Sequence, residues 1–301
     1  MSLGPSIVCP VDFSEGSRAA LWYAAAIADH FGARLIVMTV DDPLLAEAAA
    51  MAVLEPPLAA QSEAELRRFT ADVLPHISAG AKTLKLHVAT GKPATEILRV
   101  AHDTAADLVV MSSRGRSGIR KAFFGSTTER VLRETTIPVL ITPDERPATT
   151  SLSEMARQIH RILAPVDLTA ASRRQVTIAC GVAKALGVPV ILSHVLEPIF
   201  VPAGVRQALS SADSARRSQV EARLAELEAS APAGVTVERV VGTGEPSEEI
   251  VHIARTRGAN LIVMGLHSGG FLGPRMGAVT YRVLSTTRAL VLALPPGSHA
   301  D

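Results

Sequence analysis

The chain has 301 residues, and at about 150 residues per domain that length favours two domains over a single large core. Lys and Arg number 30 against 29 Asp and Glu, a net charge of +1, so the chain as a whole lacks the basic field that draws a protein to a nucleic-acid backbone. The composition is 48% apolar, which excludes disorder as a description of the whole, but only 3% aromatic, so Ala, Val, Leu and Ile do the packing.

In chain order, short apolar runs rich in β-branched residues fall at 6–11, 34–40, 83–88, 107–111 and 138–142, and they read as buried strands. Between them, stretches with 3.6-residue apolar spacing predict helices over 15–31, 44–78, 93–104 and 126–134. Pro93, following Gly91 and Lys92, is a start signal for the third helix. The segment PDERPATTSLS at 143–153 is polar with two prolines and reads as a linker. Strands are expected again at 161–166, 188–195, 235–240, 260–264 and 289–293. Five strands joined by helical crossovers predict an α/β fold in each half, a doubly wound five-stranded parallel sheet. The expected domains are residues 1–143 and 159–297, joined by 144–158.

The two halves repeat one another. IVCPVDFSEGSR at 7–18 matches ILAPVDLTAASR at 162–173, with six identities in twelve at an offset of 155. ATGKPATEIL and VGTGEPSEEI then align at an offset of 153, as do Met111 in DLVVMSS and Met264 in NLIVMGL.

In an open parallel sheet, ligands bind beyond the carboxyl ends of the strands, where strand order reverses. After the first strand comes Pro10-Val11-Asp12, whose carboxylate could accept hydrogen bonds from a sugar or base, or could cap the following helix. After the fourth strand comes Ser112-Ser113-Arg114-Gly115, nine residues, then Gly125-Ser126-Thr127 opening a helix. Glycines allow close backbone approach to a phosphate, and hydroxyl donors add to a helix N-terminus that already favours an anion. Arg114, Arg116, Arg120 and Lys121 lie in this loop with no acidic residue among them. The local field suits a polyphosphate although the whole chain is neutral.

On Asp12, the small-x-x-Gly, nine residues, Gly-Ser pattern and the terminal strand TTIPVLIT, each half resembles a universal stress protein domain, and the chain resembles a tandem member of that family. In the family pattern the first position is commonly Gly, and Ser112 stands there in this chain. The resemblance implies a Rossmann-like domain that binds ATP in a stress-response role. It implies that Pro10, Val11 and Asp12 face adenosine, and that Val40 touches the base. Met111, Ser112 and Gly115 would line the ribose and phosphate path, with Gly125, Ser126 and Thr127 holding phosphates that Mg²⁺ or Mn²⁺ could accompany.

The second half keeps Pro165, Val166, Asp167 and Val195 on the adenosine side, but its loop is degenerate. Gly265-Leu266-His267-Ser268 is followed by eight residues and then Gly277-Ala278, and Arg275 is the one Lys or Arg between Gly265 and Thr280. Nucleotide binding is therefore expected mainly in the first half.

Cys9 and Cys180 stand far apart without a C-x-x-C, so neither a disulfide framework nor a zinc site is indicated. Nine histidines are scattered singly without metal-ligand spacing, although His194 adjoins Val195 at the second cleft. No apolar run reaches the roughly 20 residues of a membrane span, and MSLGPSIVCP is unlike a secretory signal. A soluble cytoplasmic protein is expected, without nucleic-acid or membrane partners. Pairing of the two halves with each other, or a homodimer, is expected as well. The charged segment 216–228 reads as a solvated helix face with i,i+4 partners, and 46–60 as either a segment over the first cleft or an interface.

No G-x-x-x-x-G-K-[ST] is present, which excludes a P-loop NTPase at motif level, and the loops of nucleotidyl transferases and ATP pyrophosphatases are missing after the first strand. No nucleophile or general base is convincingly placed, so hydrolysis is expected to be slow at most. A scaffold that binds protein partners and no nucleotide is the competing reading.

Overall fold

The computed structural model describes residues 4–75, 84–113, 125–144, 158–198, 206–266 and 276–296, with side chains from 213 onward in the penultimate segment. The chain divides into two compact units, residues 1–158 and 159–301.

In unit 1, β1 (Ser6–Pro10), α1 (Glu15–Phe31), β2 (Arg34–Asp41), α2 (Pro43–Met51), α3 (Leu58–Val73), β3 (Leu84–Thr90), α4 (Pro93–Asp103), β4 (Leu108–Ser112), α5 (Ser126–Glu134) and β5 (Val139–Thr142) follow in sequence. The strands are parallel in the order β3-β2-β1-β4-β5. The central strands β1 and β4 are almost wholly buried and the edge strand β3 is half-buried. Such an arrangement suits continuous apolar runs covered by helices on both faces. Small residues let α1 lie close on the sheet: Ala19, Ala20, Ala24 and Ala25 are all within 1% of full burial. Ser14 starts this helix by accepting the Ser17 N–H at 3.2 Å, and Gly32 ends it in the left-handed conformation at φ 61°.

Unit 2 repeats the plan with β6 (Ile162–Pro165), α6 (Ala171–Leu186), β7 (Val190–Leu196), α7 (Arg206–Ala229), β8 (Val237–Thr243), α8 (Pro246–Thr256), β9 (Leu261–Gly265), α9 (Ala278–Thr286) and β10 (Leu290–Leu294). Its order is β8-β7-β6-β9-β10, all parallel. Gly187 ends α6 at φ 69°, as Gly32 ends α1. Cys9 and Cys180 are free and buried, and burial pushes both thiols up from their ordinary pKa. Among the described residues no helix is long and apolar enough to cross a membrane.

Two sequence expectations need correction. The single helix expected over 44–78 is two helices, because Pro56 and Pro57 cannot donate to the preceding turn and α3 starts afresh after Pro57. Among the described side chains of α7 the ion pairs within the helix are spaced i,i+3 rather than i,i+4, Arg223 with Glu226 at 3.8 Å being one. Arg216 pairs with Asp213 and donates to the Glu197 carbonyl, Arg217 reaches the Val241 carbonyl and Thr243 Oγ1, and Glu228 pairs with Arg239 at 2.9 Å. These arginines fasten the helix to strand ends. Most of the linker expected at 144–158 lies outside the described residues.

Candidate functional site

The first cleft arises where two parallel strands part. β1 and β4 are in register for two pairs, Ile7 with Leu108 and Val8 with Val109, while β1 stays paired to β2 as far as Pro10 with Met38. Beyond Val8 the β1–β4 edge opens at the point where strand order reverses, which is where doubly wound sheets hold ligands. The opening is a cleft of about 580 Å³, within the usual range for small-molecule sites.

Pro10, Val11 and Asp12 line one wall, Val40 lies at the β2 end, and Met111, Ser112, Gly125, Ser126 and Thr127 line the other side. The structure thus brings together every expected site residue except Gly115, which lies outside the described residues, as do Arg114, Arg116, Arg120 and Lys121.

The turn after β1 is built on Asp12. Its Oδ1 accepts the Ser14 N–H at 3.2 Å and the Ser14 hydroxyl at 2.6 Å, and Ser14 in turn caps α1. Both sequence readings of Asp12 are therefore compatible: it lines the cleft and also orders the cap. The geometry forces Phe13 into the left-handed region at φ 64°, a conformation unfavourable for any side chain with a Cβ. Phe13 packs edge-on against Phe69 at 5.3 Å between ring centroids.

On the opposite wall, Gly125 N–H donates to the Ser113 carbonyl at 3.1 Å, and the buried Thr128 hydroxyl donates to the Ser112 carbonyl at 3.0 Å. These two bonds fix the start of α5 against the end of β4. No side chain caps this helix, so the amides of its first turn and the Ser126 and Thr127 hydroxyls are offered to the cleft with the positive end of the helix dipole.

The cleft also has an acidic side that the sequence reading missed, made of Asp41, Asp42 and Glu65. Asp41 accepts the Ser62 hydroxyl at 2.8 Å, and Asp42 caps α2 through the Leu44 N–H at 2.8 Å. Among the described residues no group of three or more His, Cys, Asp or Glu side chains is placed to hold a metal ion.

Unit 2 has the corresponding cleft, about 490 Å³, lined by Pro165, Val166, Asp167, His194, Val195 and Met264 among others. β6 and β9 pair at Ile162 with Leu261 and Leu163 with Ile262, and then part. Here the gap is bridged. The buried Gln175 amide donates to the Pro165 carbonyl at 2.5 Å and to the Val263 carbonyl at 2.9 Å, joining the two strands where the ladder has stopped. At the 155-residue offset the counterpart of Gln175 is Ala20, which has no group able to do this.

The start of α9 keeps the backbone scheme, with Gly277 N–H to the Leu266 carbonyl at 2.9 Å and the Thr280 hydroxyl to the Gly265 carbonyl at 2.8 Å. Yet Ala278 and Val279 stand where Ser126 and Thr127 stand in unit 1, so both hydroxyl donors are gone. His267 and Ser268 lie outside the described residues.

Two doubly wound α/β modules, each with a cleft at its switch point, define a class that includes many nucleotide and small-molecule binders. The chain belongs to the universal stress protein family: the model of that family matches residues 5–143 and again 158–295. A universal stress protein of Mycolicibacterium smegmatis is 26% identical over 300 residues, covering 96% of this chain and 97% of its own. The universal stress protein MJ0531 of Methanocaldococcus jannaschii is 30% identical over 149 residues, 46% of this chain and 82% of that protein. MJ0577 of the same organism is 33% identical over a shorter stretch of 54 residues, 18% of this chain and 33% of that protein. A crystal structure of a universal stress protein from Archaeoglobus fulgidus shares the fold at TM-score 0.62 and 21% identity, over 97% of this chain and 98% of that one.

Proposed function

We propose that this protein is a stress-response regulator that binds ATP, or another adenine nucleotide, in the cleft of unit 1, and that unit 2 takes a triphosphate poorly. The observation that carries the reading is the pairing, across one cleft, of the Pro10-Val11-Asp12 turn with an uncapped helix start bearing Ser126 and Thr127. The turn supplies an apolar wall and a carboxylate suited to a nucleoside, and the helix start supplies N–H and O–H donors suited to phosphates.

The described lining holds Asp12, Asp41, Asp42 and Glu65 and no Lys or Arg, so a polyphosphate needs the basic side chains of the Gly115 loop, a divalent ion, or both. With no protein cluster built for a metal among the described residues, Mg²⁺ or Mn²⁺ would be held chiefly by the phosphates. The proposed role is binding rather than turnover.

One observation favours the scaffold reading. Leu44, Met51 and Val53 on and after α2 are 74%, 84% and 76% exposed, an apolar surface suited to a protein partner. A thermal-shift series separates the two: millimolar ATP with Mg²⁺ raises the melting temperature if the nucleotide reading holds, and no shift together with no bound adenine absorbance leaves the scaffold.

A further inference from the structure

The cleft of unit 2 has lost the hydroxyl donors at its helix start, yet it holds an arginine where the described lining of the unit 1 cleft has no Lys or Arg. Arg174, in the first turns of α6, lines the cleft, and its Nη1 donates to the Pro295 carbonyl at 2.6 Å. That bond ties the guanidinium to the residue after β10, and Val279 and Thr280 at the start of α9 line the same cleft. At the 155-residue offset its counterpart is Ala19, a buried residue with no charge.

Arginines elsewhere in the described chain, among them Arg18, Arg99, Arg239 and Arg282, have a carboxylate within 4 Å. Arg174 has none among the described residues. A guanidinium that lines a cavity and keeps unused N–H donors without a counter-ion is ready for a ligand's acid group.

The other walls restrict what that ligand can be. Val166, Val195, Ile250, Met264 and Leu294 present apolar surface, suited to a flat or ring-sized body. His194 Nδ1 lies 2.8 Å from the Val166 carbonyl, which can only accept, so Nδ1 carries the hydrogen and Nε2 remains for a ligand. Gln175 spends both N–H groups on strand carbonyls and keeps its oxygen as an acceptor. Asp167 and Glu197 line the same cleft. The two carboxylates outnumber the one arginine, so a ligand whose single anionic group sits on Arg174 meets far less repulsion than a triphosphate would.

We propose that the unit 2 cleft is a separate binding site for a small acid, a ring-sized body bearing a single phosphate or carboxylate, with Arg174 as its anion anchor. Unit 2 is therefore selective for a different ligand from that proposed for unit 1.

Met264 lines this cleft and Met111 the other, so ¹³C-methyl methionine spectra of the full chain report each site separately. Titrations with adenosine monophosphate and with benzoate distinguish a nucleotide from a plain carboxylate source. At least one of the two should shift the Met264 methyl saturably, and ATP should do so more weakly than the better of them. Arg174→Gln should weaken that response about tenfold, the scale of one charge-assisted hydrogen-bonding group, while Arg174→Lys, which keeps the charge, should recover part of it. Unchanged spectra for the remaining methionines would show that the variants are folded. If neither probe moves Met264, or if Arg174→Gln leaves the affinity unchanged, the proposal is overturned. Met111 tests the unit 1 reading in the same spectra, so either site can fail alone.

Discussion

Phe13 and Leu168 occupy the same turn in the two units and share a left-handed backbone, at φ 64° and 61°. Each directly follows the aspartate at the end of a unit's first strand. Asp167 Oδ1 accepts the Thr169 N–H at 3.0 Å, the Thr169 hydroxyl at 2.7 Å and the Ser172 hydroxyl at 3.0 Å, much as Asp12 holds Ser14. These bonds hold a conformation that costs about 1 kcal/mol or more for a residue with a Cβ.

A substitution series at Leu168 tests that strain. Leu168→Asn, a residue that visits the left-handed region readily, should leave stability within about 1 kcal/mol of the parent, whereas β-branched Leu168→Val should lose about 1–2 kcal/mol. Urea midpoints at constant slope read the difference, and equal loss in both variants would mean that side-chain packing governs this position.

The bridge made by Gln175 is a structural prediction for unit 2. Gln175→Ala removes two hydrogen bonds from buried carbonyls and leaves a void, and should destabilise by about 2–4 kcal/mol. Denaturant unfolding measures this. A loss under about 0.5 kcal/mol, the range of ordinary surface changes, would show that the strands do not need the amide.

Thr128 and Ser126 should separate stability from binding. Thr128 is buried and bonded to the Ser112 carbonyl, so Thr128→Val should cost about 1 kcal/mol of stability. Ser126 is exposed at the start of the same helix, so Ser126→Ala should leave the melting temperature within a degree or two while lowering ATP affinity about fivefold. Calorimetry on both variants checks the division.

Glu245 governs an acid response in unit 2. Its carboxyl is held below the usual glutamate range first by the Ser247 hydroxyl and then by the Glu248 N–H, with Arg282 adding attraction. A lowered carboxyl contributes fully above its unfolded pKa, and the contribution is lost as pH falls through the folded value. Stability should therefore decline as pH drops below the ordinary glutamate range, and Glu245→Gln should flatten that part of the acid limb. Thermal melts between pH 3 and 6 test this, with an unchanged limb as the contrary result.

The fold was legible because its strands are continuous apolar runs and the chain states its plan twice. Parallel strands covered on both faces need no alternation, and the recurrence of Pro-Val-Asp marked the repeat. The residues lining the first cleft were legible because they sit at strand ends and a helix start, positions that spacing locates. Arg174 and Gln175 were not. Their distance in sequence from Pro295 and Val263 gives no hint that they reach across, and the repeat aligns them with two alanines. The acidic side was missed for a similar reason: Asp41, Asp42 and Glu65 come from three elements that only the fold brings to one cleft. The break between α2 and α3 was available in Pro56-Pro57, but apolar spacing on both sides concealed it.

The most direct test of the nucleotide reading is a calorimetric titration of the full chain with ATP and Mg²⁺, alongside Gly125→Glu, which puts a carboxylate where the helix start should meet phosphate. Saturable binding of one ATP per chain, abolished or weakened more than tenfold by Gly125→Glu in a protein of unchanged melting temperature, is the predicted result. Absence of binding, or ATP binding that Gly125→Glu leaves unaltered, would contradict it.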